Sequence, residues 1–441
     1  QKGVPRYDVV ETLRDSLRLI DPQTRNLMFI RYVNNRKSRW YNNITASLSF
    51  HRQSERRFRF RFNNPNARID QMGTNTYGGQ LHFNKFIGVS HHLVYGSDVY
   101  YDDIQSASYL KNIETGSQLP SLPIIPNGSS FLSHGVYIQD DWEISPAWSL
   151  TSGIRYSYSK LRAPFAFNPG SPVQFGTITQ TSSALTGSLG LQHQINETIS
   201  FVSNLGQGFR TPNLDDSSKL GLGKGGTIYE IPRNTLVPEK SISLDGGIKL
   251  KHEHMQANII GYYNAISDLL IRKSTTFNGS PTIIDGGDTL HVYHKENAGK
   301  AFTTGLAVNA MIELNQSMAF KGNFSYTYGQ NATDAEPLTG IAPFNGVFAL
   351  HWRNSKYSLE TNVRFAIEQT RLSSEDKLDL RIPEGGSPSW HTMNLRTGVK
   401  IRDHIDLQVS VANLFDRNYR EHLSGLNAPG RNFIFGLSAR Y

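Results

Sequence analysis

Long stretches of the sequence alternate strictly between apolar and polar residues, and this period of two constrains the fold more than any other feature. In residues 357–367, Leu359, Val363 and Phe365 are separated by polar or charged residues such as Arg364. Similar stretches follow one another up to the last residue. Side chains on a β-strand point alternately to its two faces, so the pattern predicts strands with one apolar and one polar face.

The alternating stretches are also unusually long. Many run for about 10 to 15 residues, against roughly 5–6 in globular sheets, and this length suits a tilted strand that crosses a bilayer. The mean hydropathy is −0.43, and no stretch approaches the ~18 apolar residues of a membrane-spanning helix. A barrel strand shows lipid only every second residue, so this hydropathy is compatible with a transmembrane antiparallel β-barrel.

Charged residues occupy the polar face in the middle of strands. Arg57, Arg59 and Arg61 alternate with three phenylalanines. The core of a soluble sandwich could not hold three unpaired guanidinium groups, whereas a hydrated barrel lumen could. Two interpretations of such lumenal arginines stay open: they attract an anionic ligand, or they pair with carboxylates of a plug inside the barrel.

The connections between strands alternate in length. Short polar turns lie near residues 145–146, 195–197 and 402–403, and longer loops rich in Gly, Pro, Ser and Asn separate them. All long loops then fall at one end of the sheet, as in outer-membrane barrels. The predicted long loops are residues 105–130, 161–179, 208–238, 273–298, 329–342, 371–388 and 415–431. Counting back from the C-terminus gives roughly eighteen strands, the first near residues 24–33.

Several classes of function are disfavoured by composition and motif. The 441 residues include no Cys, which excludes a disulfide scaffold, a thiolate metal site and an iron–sulfur centre. The net charge of +8 is scattered without a Lys/Arg run of five, so we expect no nucleic-acid partner. No nucleophile elbow, zinc-protease or kinase motif occurs, and we expect neither an enzyme nor a bound cofactor.

Paired histidines and paired carboxylates have simpler interpretations than catalysis or metal binding. His252 and His254 are expected in a solvated turn, and adjacent His91 and His92 on opposite faces of a strand, so no metal site is predicted. The pairs at 140–141 and 215–216 are Asp-Asp dipeptides, for which we expect roles in turns or near the membrane interface.

Five segments resemble conserved motifs of TonB-dependent outer-membrane receptors. They are F-R-T-P-N-L at 209–214, L-V-P-E-K-S at 236–241, Y-I-Q-D-D-W at 137–142, G-I-R-Y at 153–156 and V-A-N-L-F-D-R-N-Y at 411–419. Thr211 replaces the family's usual Ala, and Tyr441 its usual terminal Phe. The matching motif residues are Phe209, Arg210, Pro212, Asn213, Leu214, Asn413, Leu414, Phe415, Asp416, Tyr419 and Tyr441.

The resemblance implies a barrel of 22 strands that follows an N-terminal plug. We therefore expect residues 1–441 to form the C-terminal part of such a barrel, with the plug and the first strands missing. The family would place the chain in the outer membrane of a Gram-negative bacterium, in contact with lipid, lipopolysaccharide, the barrel-assembly machinery and, through the missing region, the TonB complex.

The function that the resemblance implies is energised import of a scarce small-molecule nutrient, with a ferric siderophore favoured. The alternatives are a haem or other nutrient receptor of this family, a passive porin-like channel, or a surface receptor without transport. Residues 208–238 contain no His, which disfavours haem. The predicted ligand-binding residues are Arg210, Lys219, Lys224, Tyr229 and Arg233 in the 208–238 loop, and Arg57, Arg59 and Arg61 in the lumen.

Overall fold

The computed structural model describes residues 15–165, 175–223, 228–285, 288–297, 299–377, 379 and 381–440. The chain begins with β1 (Asp15–Asn34), β2 (Asn43–Arg61), β3 (Asn66–Ile87), β4 (His91–Asn112), β5 (Gln118–Ser121), β6 (Ser129–Ser145), β7 (Trp148–Ala163), β8 (Ile178–Gln194), β9 (Ile199–Arg210), α1 (Leu214–Ser218), β10 (Gly221–Leu222) and β11 (Ile228–Glu230). It continues with β12 (Glu239–His252), β13 (Met255–Ser267), β14 (Leu270–Ser274), β15 (Thr282–Asp285), β16 (Asp288–Asn297), β17 (Ala301–Asn315), β18 (Met318–Asn331), β19 (Glu336–Pro337), β20 (Asn345–Arg353), β21 (Tyr357–Ala366), α2 (Ser374–Lys377), β22 (Trp390–Arg402), β23 (Ile405–Ala412) and β24 (Asn432–Ala439).

One large antiparallel sheet contains most of the chain. It has 19 strands, and its seventeen long members pair in chain order, from β1 with β2 through to β23 with β24. The all-β antiparallel prediction is confirmed, and the number of long strands is close to the eighteen expected. Within the described residues β1 pairs only with β2, and β24 only with β23.

Connection length divides the sheet into two ends. At the short-turn end, all connections but one have two to four residues; the exception is residues 35–42, between β1 and β2. At the loop end, seven long connections lie side by side, as the sequence predicts, and only residues 62–65 form a short link there.

The two faces of the sheet differ in chemistry, as the alternation predicts. The apolar face carries exposed aliphatic side chains such as Ile154 and Ile242, which are 56% and 53% exposed. The polar face carries Asp98, Tyr137 and Arg155, which lie on three neighbouring strands. Outer-membrane barrels turn the apolar face to lipid and the polar face to the lumen.

Two long loops form regular structure that the sequence did not predict. Strands β10, β11, β14, β15 and β16 make a second, five-stranded sheet above the loop end. In it β11 pairs in parallel with β16, which joins residues 211–238 to residues 268–300. A cluster of buried residues supports this sheet: Leu220, Tyr229, Ile283, Leu290 and Val292.

Aromatic and histidine rings stack near the short-turn end. His91 stacks on Trp142, with ring centroids 5.3 Å apart, and its Nδ1 lies 2.8 Å from an Asp140 carboxylate oxygen. His92 points to the other face, toward Asp141. The predicted opposite placement of the two histidines is confirmed.

No helix within the described residues is long and apolar enough to cross a membrane.

Candidate functional site

The F-R-T-P-N-L segment ends strand β9 and starts helix α1. Asn213 is the N-cap: its side chain accepts a hydrogen bond from the Asp216 backbone N–H at 2.9 Å, and its own N–H donates to the Asp216 carboxylate at 3.1 Å. This reciprocal capping box satisfies two backbone donors that a helix start would leave unpaired. Pro212 is fully buried, and Leu214 packs against the buried pair Leu161 and Ala163.

Asp216 is the centre of a buried ion-pair group. Its side chain is 3% exposed and accepts hydrogen bonds from Arg210 Nη1 at 2.6 Å and Lys295 Nζ at 2.8 Å. Burial would raise the pKa of Asp216, but the bonds from Lys295 and Arg210 hold it below its ordinary value. Arg210 also donates to Glu239 at the start of β12. The group therefore connects β9, α1, β12 and β16.

A second buried carboxylate lies nearby in β11. The Glu230 side chain is 2% exposed and lies 3.1 Å from Lys219 Nζ and 3.2 Å from Arg272 Nε. Lys219 also lies 3.4 Å from Asp215, four residues before it. Buried charges are tolerated only when they are paired, so Glu230 in β11 holds the end of α1 and the neighbouring strand β14 to the same point of the second sheet.

Arg233 joins the same assembly from the irregular segment between β11 and β12. Its Nη1 lies 2.6 Å from His294 Nε2, and its backbone N–H donates to the Ser217 carbonyl at 3.0 Å. The hydrogen bond from His294 lowers the pKa of Glu296, which lies 3.5 Å from Arg233.

The predicted loop residues differ in exposure: the Arg210 and Arg233 side chains are 45% and 34% exposed, and the Lys219 side chain is 15% exposed. Arg210, Lys219 and Arg233 are engaged in ion pairs or hydrogen bonds, and Tyr229 is 6% exposed inside the apolar cluster. Lys224 lies outside the described residues. Direct contact of these side chains with a ligand stays a prediction.

Arginines stand in register on the polar face near the loop end. Arg18 on β1 lies directly across from Arg59 on β2, and Arg59 directly across from Arg68 on β3. Arg57 and Arg61 lie on the same face of β2, on either side of Arg59. We call Arg18, Arg57, Arg59, Arg61 and Arg68 the arginine row. Like charges directly opposite one another destabilise a sheet.

Acidic residues lie beside two members of the arginine row. Arg57 lies 2.6 Å from Glu55, and the Arg68 guanidinium lies 2.9 Å from Asp70. Arg68 also donates to the Leu122 carbonyl at 2.9 Å, which ties it to the base of a loop. Within the described residues no carboxylate pairs with Arg18. The row therefore places five guanidinium groups near one another on the polar face of three neighbouring strands.

Arg155, by contrast, is neutralised within the wall. Its guanidinium makes two contacts with Asp98, at 2.8 and 2.9 Å, by crossing the intervening strand above Gly135. A Cβ at Gly135 would lie 1.9 Å from Arg155 Nη2, so only glycine leaves room for this crossing. The charge of Arg155 is therefore balanced by Asp98, without an anionic ligand or a carboxylate from a plug.

The C-terminal motif forms a tight corner after β23. Asn413 is 4% exposed, has φ of 50°, and its side chain donates to the carbonyls of Arg417 and Pro429 at 2.8 and 3.2 Å. Its amide oxygen accepts from the Arg417 N–H at 2.9 Å, and Asp416 accepts from the Arg431 N–H at 2.7 Å. These bonds close the loop that leads into β24.

The other C-terminal motif residues have separate positions. The Leu414 N–H donates to the Met393 carbonyl at 2.8 Å, and the Tyr419 ring packs on Trp390 with centroids 4.5 Å apart. Phe415 is 70% exposed, and Tyr441 lies outside the described residues. Asn413, Leu414, Asp416 and Tyr419 thus shape the loop end, and none of them lies in the arginine row.

Histidine side chains lie apart from one another. The His254 side chain is 65% exposed in the β12–β13 turn, which confirms the predicted solvated position. Within the residues that the structure describes, no group of three or more His, Asp or Glu side chains could hold a metal ion.

His422 gives the loop end a dependence on pH. Its Nδ1 lies 2.8 Å from Ser387 Oγ, which joins residues 413–431 to residues 367–389. Burial lowers the pKa of His422, although Asp376 and Asp379 act to raise it. Below about pH 6.5 the unfolded ring takes up a proton while the folded ring stays neutral, so we expect this contact to lose stability as the pH falls.

The test is limited proteolysis of residues 413–431 between about pH 7.5 and pH 5.5. Cleavage should accelerate toward the lower pH, and His422→Gln should remove this acceleration. His254→Gln, which changes an exposed histidine, is the matched control. An equal pH dependence in wild type and His422→Gln would contradict the assignment.

Comparison with known proteins identifies the family. Residues 5–414 match the family described as TonB dependent receptor-like, beta-barrel. The match covers most of the chain, so the chain belongs to the TonB-dependent receptor β-barrel family.

Individual relatives are distant in sequence. A probable TonB-dependent siderophore receptor of Acinetobacter baumannii, PirA, is 19% identical over an alignment of 334 positions that covers 68% of this chain and 42% of PirA. The solved structure described as copper transporter OprC has a TM-score of 0.82 at 18% identity, over 96% of this chain and 66% of that one. The crystal structure of PirA has a TM-score of 0.68 at 16% identity, over 94% and 62%. The chain thus spans less than half of the curated relative's length.

Sequence reasoning missed the residues that complete these groups. Asp216 and Glu230 are 14 residues apart and Lys295 lies 65 residues after Glu230, and the β11–β16 pairing brings their two loops together. Arg18 joins Arg59 through the register of β1 with β2. The sequence T-P-N-L-D-D at 211–216 contained one signal, since Asn213 and Asp216 have the spacing of a capping box.

Proposed function

We propose that this chain is the membrane-spanning part of an outer-membrane transporter that imports an anionic metal chelate, most directly a ferric siderophore, with energy delivered through TonB. The arginine row carries the proposal, because guanidinium groups aligned on the lumenal face attract anions. Guanidinium groups also bind carboxylates and other planar oxyanions through two hydrogen bonds at once.

Family membership supports the route and the partners. Proteins of this family are receptors of the outer membrane, and the relative PirA is described as a siderophore receptor. The proposed partners are the TonB complex, the barrel-assembly machinery, outer-membrane lipid and lipopolysaccharide, and the chelate itself. The plug that would complete the transporter is expected outside residues 1–441.

A second cargo follows from the likeness to the copper transporter OprC, with its TM-score of 0.82. A free copper ion is a cation, and the arginine row would repel it. An anionic chelate therefore fits the described polar face better than a bare metal ion does.

Uptake of radiolabelled ferric chelates by cells that carry the complete receptor tests the proposal. The double variant Arg18→Gln with Arg59→Gln should weaken chelate binding about 100-fold, at roughly tenfold for each charge-assisted contact. Lys400→Gln with Arg402→Gln, which removes two exposed cations at the short-turn end, should bind as wild type does.

Accumulation inside the cell separates the alternatives. An energised transporter stops accumulating chelate when a protonophore collapses the proton-motive force, whereas a passive channel does not respond. A surface receptor would bind the chelate and never accumulate it. Unchanged binding in the arginine double variant would show that the row does not hold the ligand.

A further inference from the structure

The connection between β1 and β2 differs from every other described connection at the short-turn end. It comprises residues 35–42, with the sequence N-R-K-S-R-W-Y-N, where the other turns have two to four residues. We call it the basic turn. It lies at the end of the sheet that faces the periplasm in outer-membrane barrels.

The basic turn lies over the apolar face of the neighbouring strands. Lys85 Nζ on β3 donates to the Ser38 carbonyl at 3.1 Å, and Tyr95 Oη on β4 donates to the Trp40 carbonyl at 2.6 Å. The Tyr41 ring packs on Phe83, with centroids 5.9 Å apart. Lys85, Tyr95 and Phe83 all belong to the apolar face, so the turn reaches sideways across two strands on the lipid side.

Internal hydrogen bonds fix the shape of the basic turn. Ser38 Oγ accepts from the backbone N–H groups of Trp40 and Tyr41 at 3.0 and 3.1 Å, and the Ser38 N–H donates to the Tyr41 carbonyl at 2.7 Å. The Arg36 N–H donates to the Asn34 side chain at 2.9 Å. The turn is therefore ordered before any partner binds, which lowers the entropy that binding must offset.

Exposed cations and an exposed indole occupy this fixed turn. Arg36, Lys37 and Arg39 are exposed, and the structure shows no ion pair for them among the described residues. The Arg39 guanidinium carbon lies 4.7 Å from the centroid of the Trp40 ring, which is 65% exposed. Between Asp21 and Glu55 the sequence contains no acidic residue.

The adjacent β3–β4 turn extends this surface with apolar side chains. Val89 is 99% exposed and Ile87 is 49% exposed. The nearest carboxylate on the apolar face of β6, Asp140, is already paired with His91. Cations, an indole and aliphatic side chains side by side suit the boundary between lipid headgroups and acyl chains.

We propose that the basic turn is a binding site for an anionic phospholipid of the periplasmic leaflet. Arg36, Lys37 and Arg39 bind the headgroup phosphate, while Trp40 and Val89 lie against the first carbons of the acyl chains. Three cations without a nearby acid favour a lipid with net negative charge over a zwitterionic one. This inference rests on the proposed outer-membrane location and is independent of which nutrient is carried.

Native mass spectrometry of the complete receptor tests it directly. The receptor is mixed in detergent with phosphatidylglycerol or with phosphatidylethanolamine, and the retained lipids are counted. Wild type should retain phosphatidylglycerol preferentially. Arg36→Gln, Lys37→Gln and Arg39→Gln together should weaken that binding about 100-fold, since each cation near an anionic lipid surface contributes roughly fivefold.

Control variants make the outcome specific. Lys251→Gln, Lys400→Gln and Arg402→Gln together remove three exposed cations from the same end and should leave the preference intact. Equal retention of both lipids by wild type, or equal retention by wild type and the basic-turn variant, would overturn the proposal. Competition by soluble glycerol phosphate at equal concentration would show that the turn recognises phosphate alone and would overturn a lipid site.

The same variants separate this proposal from the transport proposal. The basic-turn variant should bind ferric chelates as wild type does, because its substitutions lie at the end opposite to the arginine row. Loss of lipid preference with normal chelate binding supports the lipid site even if the transported nutrient is another compound.

Discussion

Replacing Asp216 with alanine is expected to destabilise the loop assembly by about 3 to 5 kcal/mol, because removal of one partner leaves buried charges unpaired. Lys295 would lose the carboxylate that it bonds to, Arg210 would keep Glu239 but lose Asp216, and Asn213 would lose half of its capping box. The damage should be local, since the seventeen long strands pair independently of this carboxylate.

Hydrogen exchange measures that local loss. Backbone amides of α1 and β16 should exchange between about a hundred- and a few thousand-fold faster in Asp216→Ala, while those of β6 and β7 stay as in wild type. Asp215→Asn is the matched control, because the Asp215 side chain is 52% exposed and its pairing with Lys219 is worth little. Unchanged protection of α1 and β16 in Asp216→Ala would contradict the role assigned to Asp216.

Replacing Asn413 with alanine is expected to destabilise the sheet by about 3 kcal/mol. The substitution removes the donor of two partly buried hydrogen bonds, to the carbonyls of Arg417 and Pro429, at roughly 1 kcal/mol or more for each unpaired group. Alanine is also unfavourable at the φ of 50° found here, by roughly 1 kcal/mol. Urea unfolding of the complete receptor, followed by tryptophan fluorescence, measures the change.

Two further variants separate the causes. Asn413→Gly removes the side-chain bonds but accepts positive φ, so it should recover only the smaller part of the loss. Asn418→Ala changes an exposed asparagine of the same loop, whose side chain accepts a hydrogen bond from the Asn427 side chain, and should be close to neutral. A neutral Asn413→Ala would mean that the corner does not depend on this side chain.

The architecture of the large sheet could be predicted because its signal is local. Alternation of Val363 and Phe365 with Arg364 fixes which side chains share a face, and the turns at 145–148 and 402–405 fix which strands are neighbours. The family motifs also predict the positions of the end of β9 and of the corner at Asn413. Each of these features depends on residues that lie within about ten positions of one another in the chain.

The sites could be predicted only in part because they depend on register. Arg57, Arg59 and Arg61 were visible as cations on one face, but their alignment with Arg18 and Arg68 follows from the pairing of β2 with both neighbours. The sequence predicts the loop cations as ligand contacts because it does not show their buried partners. Asp216 and Glu230 reach these cations only in the folded loops.

The parallel pairing of β11 with β16 has a consequence for how this surface can change. Residues 228–230 and 291–293 share main-chain hydrogen bonds, and Lys295 completes the charge of Asp216 in the other loop. A graft of residues 211–238 alone into a relative would separate buried acids from their bases. The two loops must therefore be exchanged together, in the laboratory as in evolution, and new specificity at this surface would arise by replacing both as one cassette.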